Sequence, residues 1–323
     1  MFNVGASSKP EKEGQQELDG FFRAQKYLTV SSQLHLEALA QSVGKVWTLS
    51  PTFRAEHSDT PRHLSEFYML EAELAFVEDA DQVMDVVEGL MRAIVAGLQK
   101  STTGQQLLTV GARKHQDEYQ TVGSADLQAR WSGIVGKPWP RITYTEAIKL
   151  LQDAVSRKEA HFENVPSLGT SLQAEHEKYL AESVGGGSPL FVTDYPRDIK
   201  AFYMSPSPTR PHADLPTVAC FDLLVPEVCE IVGGSMREHR LEHLLKAMDL
   251  HGLLDPTRNS DATPDLLEAV PASMRWYVDL RRFGSVPHGG FGLGFDRLLC
   301  YLSGVSSIRD VVSFPRWYGR CDC

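Results

Sequence analysis

The hydrophobic pattern divides the chain into paired strands and amphipathic helices. Over residues 81–98, Val83, Val87, Leu90, Met91, Ile94 and Leu98 recur at three- and four-residue spacing, which predicts a helix with one buried face. Residues 143–155, 172–182, 237–250 and about 295–302 read as further helices, and another starts after Ser31 or Ser32, either of which can cap it. Segments 47–53 and 67–76 are rich in aromatic residues and suit two paired strands; 191–193, 202–204 and 218–225 read as three more. The span 205–216 holds four prolines and reads as an exposed loop. Strands fall mainly in adjacent hairpins and do not alternate with helices. The predicted fold class is therefore α+β, a mostly antiparallel sheet flanked by helices.

The pattern also marks what lies outside this frame. Residues 1–20 are polar and are expected to be disordered, leaving 21–323 as one folded unit. Within it, about 101–140 is weakly patterned and reads as a variable insertion. No apolar run approaches the roughly 20 residues needed to span a bilayer, so no membrane association is expected. Neither a signal peptide nor a transit peptide is visible, and the five cysteines read as reduced thiols, which places the protein in the cytoplasm with a mitochondrial home left open. A net charge of −10 argues against bulk-charge binding of nucleic acid but leaves room for a local basic face.

Candidate chemistry is concentrated in four places. Between the first two strands, Arg54, Glu56, His57, Asp59, Arg62, His63 and Glu66 surround a turn, Ser58-Asp59-Thr60-Pro61. Such a density of charge between buried strands points to a polar ligand, and paired arginines and histidines suggest a polyphosphate. The alternative is a solvated hairpin tip with local ion pairs. Asp222 and Glu230, followed by Gly233-Gly234, have the character of a magnesium site, which takes a few carboxylates plus phosphate oxygens, or of a strand-end turn. The run His288-Gly289-Gly290-Phe291-Gly292-Leu293-Gly294 reads as a glycine-rich loop; Arg297, in the first turn of the helix after it, works against the helix dipole unless an anion is near. It is neither a dinucleotide fingerprint nor a P-loop. Residues 194–203 mix aromatic and basic side chains that face either a pocket or solvent.

Taken together, these segments resemble the catalytic domain of class II aminoacyl-tRNA synthetases, in particular the asparaginyl branch of bacterial and organellar type. Phe53-Arg54-Ala55-Glu56 with Arg62-His63-Leu64 resembles that family's motif 2, and Gly292–Arg297 its motif 3; YPRDIKAFYM (195–204), EIVGGSMRE (230–238) and the region 308–316 add to the likeness. The resemblance implies ATP and asparagine as substrates, Mg2+ as cofactor and tRNA(Asn) as acceptor. It implies that Arg54 holds the α-phosphate, Glu56 the adenine amino group, and Arg62 or His63 the γ-phosphate. Phe67 and Arg297 would cover the two faces of the adenine, and Asp222 and Glu230 would carry the metal. Gln33 would hold the substrate's amino group, Arg237 its side-chain oxygen, and Glu71 the side-chain NH2. Leu36 stands where aspartyl enzymes carry a lysine, so a buried aspartate carboxylate would be unpaired and repelled by Glu71. Catalysis would rest on Arg54 and Arg297.

By the same resemblance, an anticodon-binding β-barrel and motif 1, the dimer element, have no counterpart here, so a homodimer is not implied. Three readings therefore stand: transfer of asparagine to tRNA, activation of asparagine or a related amino acid for another acceptor, and a non-catalytic regulatory relative. The presence of every ATP-contacting residue type disfavours the third.

Overall fold

The structure, a computed structural model, describes residues 1–4, 22, 25–113, 122–208, 215–255 and 266–321. Its elements run α1 (Gln33–Val43), β1 (Lys45–Phe53), β2 (Glu66–Ala75), α2 (Ala80–Lys100), α3 (Thr102–Arg113), α4 (Ser124–Gly136), β3 (Arg141–Thr143), α5 (Tyr144–Ser156), α6 (Ala174–Ser183), β4 (Leu190–Thr193), β5 (Cys220–Val225), β6 (Cys229–Met236), α7 (Leu241–Leu250), α8 (Arg275–Arg282), β7 (His288–Gly294) and α9 (Phe295–Ser303). The strands form one sheet in the order β1-β2-β7-β6-β5-β4-β3. All its pairs are antiparallel except β3 with β4. This is the α+β arrangement predicted from the strand spacing.

Side-chain alternation on the strands decides which helix covers which face. Phe221, Leu223 and Val225 of β5 join Val83, Val87, Met91 and Val95 of α2 and Leu127, Trp131 and Ile134 of α4 in the principal core. Cys220 and Leu224, on the opposite face of β5, pack with Tyr144, Ile148 and Leu151 of α5 and Leu180 of α6. A third cluster ties α7 to α8 through Leu244, Met248, Tyr277 and Val278. Local signals fix the helix ends. The Asp79 side chain accepts the Gln82 N–H at the start of α2, and Thr143 and Glu146 form a reciprocal capping box on α5. Ser32 is the N-cap of α1 but makes no side-chain capping bond; the Ser31 hydroxyl accepts the Gln33 N–H at 3.1 Å instead.

Several expectations change. Within the weakly patterned region 101–140, residues 102–113 and 124–136 fold as α3 and α4, and α4 is set into the main core, with Trp131 Nε1 donating to the Leu302 carbonyl at 3.0 Å. The glycine run 288–294 is not a loop but β7, a central strand between β2 and β6. Crowding dictates two of its glycines. A Cβ on Gly290 would collide with the Ala72 carbonyl and the Glu73 carboxyl, and one on Gly292 with the end of Met69. Residues 202–204 are a turn with a single bridge from Met204 to Arg237, not a strand. Arg237 is not helical: α7 begins only at Leu241, and the Glu238 carboxylate accepts the Arg240 N–H just ahead of it. Of the N-terminal run expected to be disordered, residues 2–4 pair with 26–28, with Val4 N–H to Lys26 O at 2.8 Å. Most of the rest of that run, and residues 322–323, lie outside the described residues. Among the described residues no helix is long and apolar enough to cross a membrane.

Candidate active site

The β1–β2 hairpin opens the site. Its register brings Phe53 opposite Glu66, so the charged segment 54–65 becomes the loop between them. That loop is anchored from far along the chain. Ile308 N–H donates to the Pro61 carbonyl at 3.0 Å, Ser65 N–H to the Arg316 carbonyl at 2.7 Å, and Arg309 pairs with Asp59 at 2.6 Å. Arg316 also pairs with Glu66. The loop is thus held at both shoulders and is not a free solvated tip.

Below it lies a cavity of about 480 Å3. The residues given a role by the resemblance all line it: Gln33 from α1; Arg54, Glu56, Arg62 and His63 from the loop; Phe67 and Glu71 from β2; Asp222 from β5; Glu230 from β6; Arg237 just beyond β6; and Arg297 from α9. His57, Asp59 and Glu66 do not; they turn to Tyr318, Arg309 and Arg316. At the loop end the Arg54 guanidinium lies over the Phe67 ring, 5.2 Å from its centroid. His63 Nε2 is 3.5 Å from Glu56 Oε2, while burial holds the imidazole below its ordinary value. Arg62 donates to Cys229 Sγ at 3.0 Å, and Arg297 to the Glu230 carbonyl at 2.8 Å. The three arginines frame one end of the cavity, and among the described residues none of them forms an ion pair with a carboxylate.

The middle of the cavity is acidic. Burial, then the Asp222 charge, pushes the Glu230 carboxyl upward. Burial, Glu230 and Asp222 together raise Glu177, on α6, to about 7. Lys200 Nζ sits 2.8 Å from Asp222 Oδ2; burial alone would lower the ammonium, but that carboxylate outweighs it. Both Asp222 and Glu230 face Gly233, where a Cβ would stand 3.0 Å from Glu230 Oε1 and 3.5 Å from Asp222 Oδ1. Among the described residues no group of three or more histidine, cysteine or carboxylate side chains is arranged to hold a metal alone. A crowded pair of half-buried carboxylates still suits magnesium, which completes its coordination with substrate oxygens and water.

The far end is built on β2. Phe67, Met69, Glu71 and Glu73 alternate onto the same face and all line the cavity. Glu71 accepts from the Ser31 hydroxyl and from Ser32 N–H at 2.8 Å, which ties the start of α1 to the sheet and leaves the carboxylate further acceptor capacity. Glu73, which the sequence reading passed over, takes Arg237: Nη2 to Oε1 is 2.5 Å and Nε to Oε1 is 3.1 Å, both side chains being buried. Arg237 thereby presents its remaining N–H groups in one fixed direction. The period-two run from Phe67 was the signal that could have found Glu73. Glu177 does not line the cavity; it lies on α6 against Glu230, whose N–H it accepts at 3.3 Å.

The pattern of the tRNA synthetases class II (D, K and N) matches residues 8–318. The mitochondrial asparagine–tRNA ligase of Saccharomyces cerevisiae is 40% identical over 320 residues, covering 98% of this chain and 60% of that protein. The asparagine–tRNA ligase of Oleidesulfovibrio alaskensis is 42% identical over 314 residues, covering 97% and 59%. Among solved structures, asparaginyl-tRNA synthetase from Pyrococcus horikoshii complexed with asparaginyl-adenylate superposes with a TM-score of 0.73 at 35% identity, covering 94% of this chain and 59% of that one. The chain spans about three fifths of the length of the curated relatives it matches. With this sheet and this pattern over nearly its whole length, the chain belongs to the class II tRNA synthetases (D, K and N).

Proposed function

We propose that the cavity joins asparagine to ATP, forming asparaginyl-adenylate and pyrophosphate, and that the asparaginyl group then passes to tRNA(Asn). The observation that carries this reading is the convergence of a cationic loop, an acidic middle and a buried arginine–glutamate reader on one cavity. The adenylate-bound Pyrococcus structure supports it.

In this reading no protein nucleophile is needed. The substrate α-carboxylate is ionised at neutral pH and attacks the α-phosphorus of ATP. One carboxylate oxygen forms the new O–P bond as the bond to pyrophosphate breaks, and a ribose hydroxyl of the tRNA later displaces AMP. Arg54 holds the α-phosphate and takes up its developing charge, Glu56 accepts from the adenine amino group, and Arg62 and His63 meet the γ-phosphate. Phe67 and Arg297 enclose the base. Asp222 and Glu230 hold magnesium, which when bound supplies positive charge to the phosphate oxygens. At the other end Gln33 accepts from the substrate ammonium, Arg237 donates to the side-chain oxygen and Glu71 accepts from the side-chain NH2. Aspartate would set a carboxylate against Glu71, with Arg237 already engaged by Glu73. Among the described residues Cys220 and Cys300 are free and buried, and burial pushes both thiols up to about 12, which suits the reducing interior of a cytoplasm or mitochondrion.

Amino-acid-dependent ATP–pyrophosphate exchange, followed by transfer to total tRNA, tests the reading. Exchange with asparagine and charged tRNA is expected. Exchange without charged tRNA moves the acceptor to another molecule, and no exchange with any amino acid overturns the activation step.

A further inference from the structure

Behind the amino-acid end of the cavity lies a buried ionic cluster that none of these roles uses. Glu37 follows Gln33 by one turn on α1 and is fully buried. Its Oε2 accepts from the Tyr277 hydroxyl at 2.7 Å and from Arg281 at 2.6 Å, both on α8, and lies 3.3 Å from His288 Nε2 at the start of β7. Its Oε1 accepts from Gln33 Nε2 at 3.0 Å. Burial alone would raise this carboxyl, but the His288 hydrogen bond and the charges of Arg281 and Arg237 hold it at about 2.

An ionised carboxylate only accepts hydrogen bonds. The two ends of a glutamine amide are sterically alike, and their orientation follows from the partners available. The NH2 of Gln33 must therefore face Glu37, which turns its carbonyl oxygen the other way. Gln33 lines the cavity. Arg281 is itself fixed, its Nε donating to the Glu238 carbonyl at 3.0 Å and its guanidinium lying 4.2 Å from the Tyr277 ring centroid.

The geometry points to Glu37 as a positioning residue for amino-acid recognition: braced by Arg281 and Tyr277, it locks the Gln33 amide so that an acceptor, not a donor, faces the substrate's ammonium group. This rests on the reading of the cavity as an amino-acid-activating site. An ammonium carries donors only, so a flipped Gln33 would set donor against donor.

Glu37→Gln keeps the shape and inverts the polarity. The new carboxamide gives its oxygen to the donors Arg281 and Tyr277 and its NH2 to Gln33, whose own oxygen then turns inward. Pyrophosphate exchange is measured at varied asparagine and varied ATP. The expected result is a rise of about tenfold or more in KM for asparagine, with KM for ATP and kcat within about twofold of wild type. Gln33→Met gives the same selective rise, and adding Glu37→Gln to it costs little more, because the effect runs through Gln33. Glu37→Asp, which keeps the buried charge but withdraws it by one methylene, gives a smaller selective rise and serves where Glu37→Gln does not fold. Parallel rises in both KM values, or multiplicative losses in the double variant, overturn the inference while the activation reading stands. A wild-type protein without exchange overturns that reading and this inference together.

Discussion

Replacing Glu177 by glutamine isolates the electrostatics beside the acidic pair Asp222 and Glu230 that lines the cavity. The Glu177 carboxyl is displaced from the ordinary 4.5 to about 7 by burial, Glu230 and Asp222. Because the folded-state value lies above the unfolded one, the folded protein keeps a proton that the unfolded chain has lost. Stability from this group is complete below about pH 4.5 and is lost as the pH rises through 7. The displacement corresponds to about 3.4 kcal/mol, which partial exposure of the side chain trims to about 2 kcal/mol. Glutamine is neutral at every pH and can still accept the Glu230 N–H that reaches Glu177 Oε2 at 3.3 Å. The variant should therefore melt near the wild-type temperature at pH 4.5 and about 3 °C above it at pH 8, given an unfolding entropy near 2 cal/mol/K per residue. Circular-dichroism melts at the two pH values, without divalent ions, read the difference. An equal displacement at both, or a lower melting temperature at pH 8, would refute the claim that crowded carboxylates strain this site.

Three other outcomes follow from the same geometry. Arg54→Ala should lower pyrophosphate exchange by about a thousandfold, the scale of losing a key charge-stabilising donor, while circular dichroism and melting temperature stay near wild type; near-normal exchange would displace the proposed ATP site. Glu73→Ala leaves the Arg237 charge buried without its partner and should cost about 3–5 kcal/mol in urea unfolding; a loss under 1 kcal/mol would mean that water or another carboxylate reaches Arg237. Chelation of divalent ions should abolish exchange. Stabilisation by Mg2+ with a non-hydrolysable ATP analogue should weaken as the pH falls, because the cation competes with a proton for Glu230, whose carboxyl burial and Asp222 hold upward; stabilisation independent of pH would remove Glu230 from the metal site.

The sequence was most legible where local rules coincide with tertiary need. The period of α2, the capping box of α5 and the aromatic hairpin are each decided by neighbours in the chain, and the structure keeps them. The resemblance brought together side chains from α1, β2, β5, β6 and α9 that no local rule connects. Reading failed where packing overrides propensity. Glycines ordinarily weaken a strand, yet β7 needs them because β2 and β6 press side chains and carbonyls against it. Residues 237–240 look helical by composition, but the buried partnership of Arg237 with Glu73 keeps them extended. The four-residue step from Gln33 to Glu37 was visible on α1, yet its meaning depends on Arg281 and His288, more than 240 positions away.

The anchoring of the hairpin loop by residues 308–316 has a consequence for the order of events during synthesis. Asp59 and Arg309 are 250 positions apart. At about 5–20 residues per second, the ribosome has the whole hairpin in place well before its anchors emerge. During that interval the loop has the right residues but lacks the shoulders that hold them, and closing so long a stretch of chain is a slow step. The loop therefore stays unheld until residues 308–316 emerge, and its ordered geometry is acquired late and all at once.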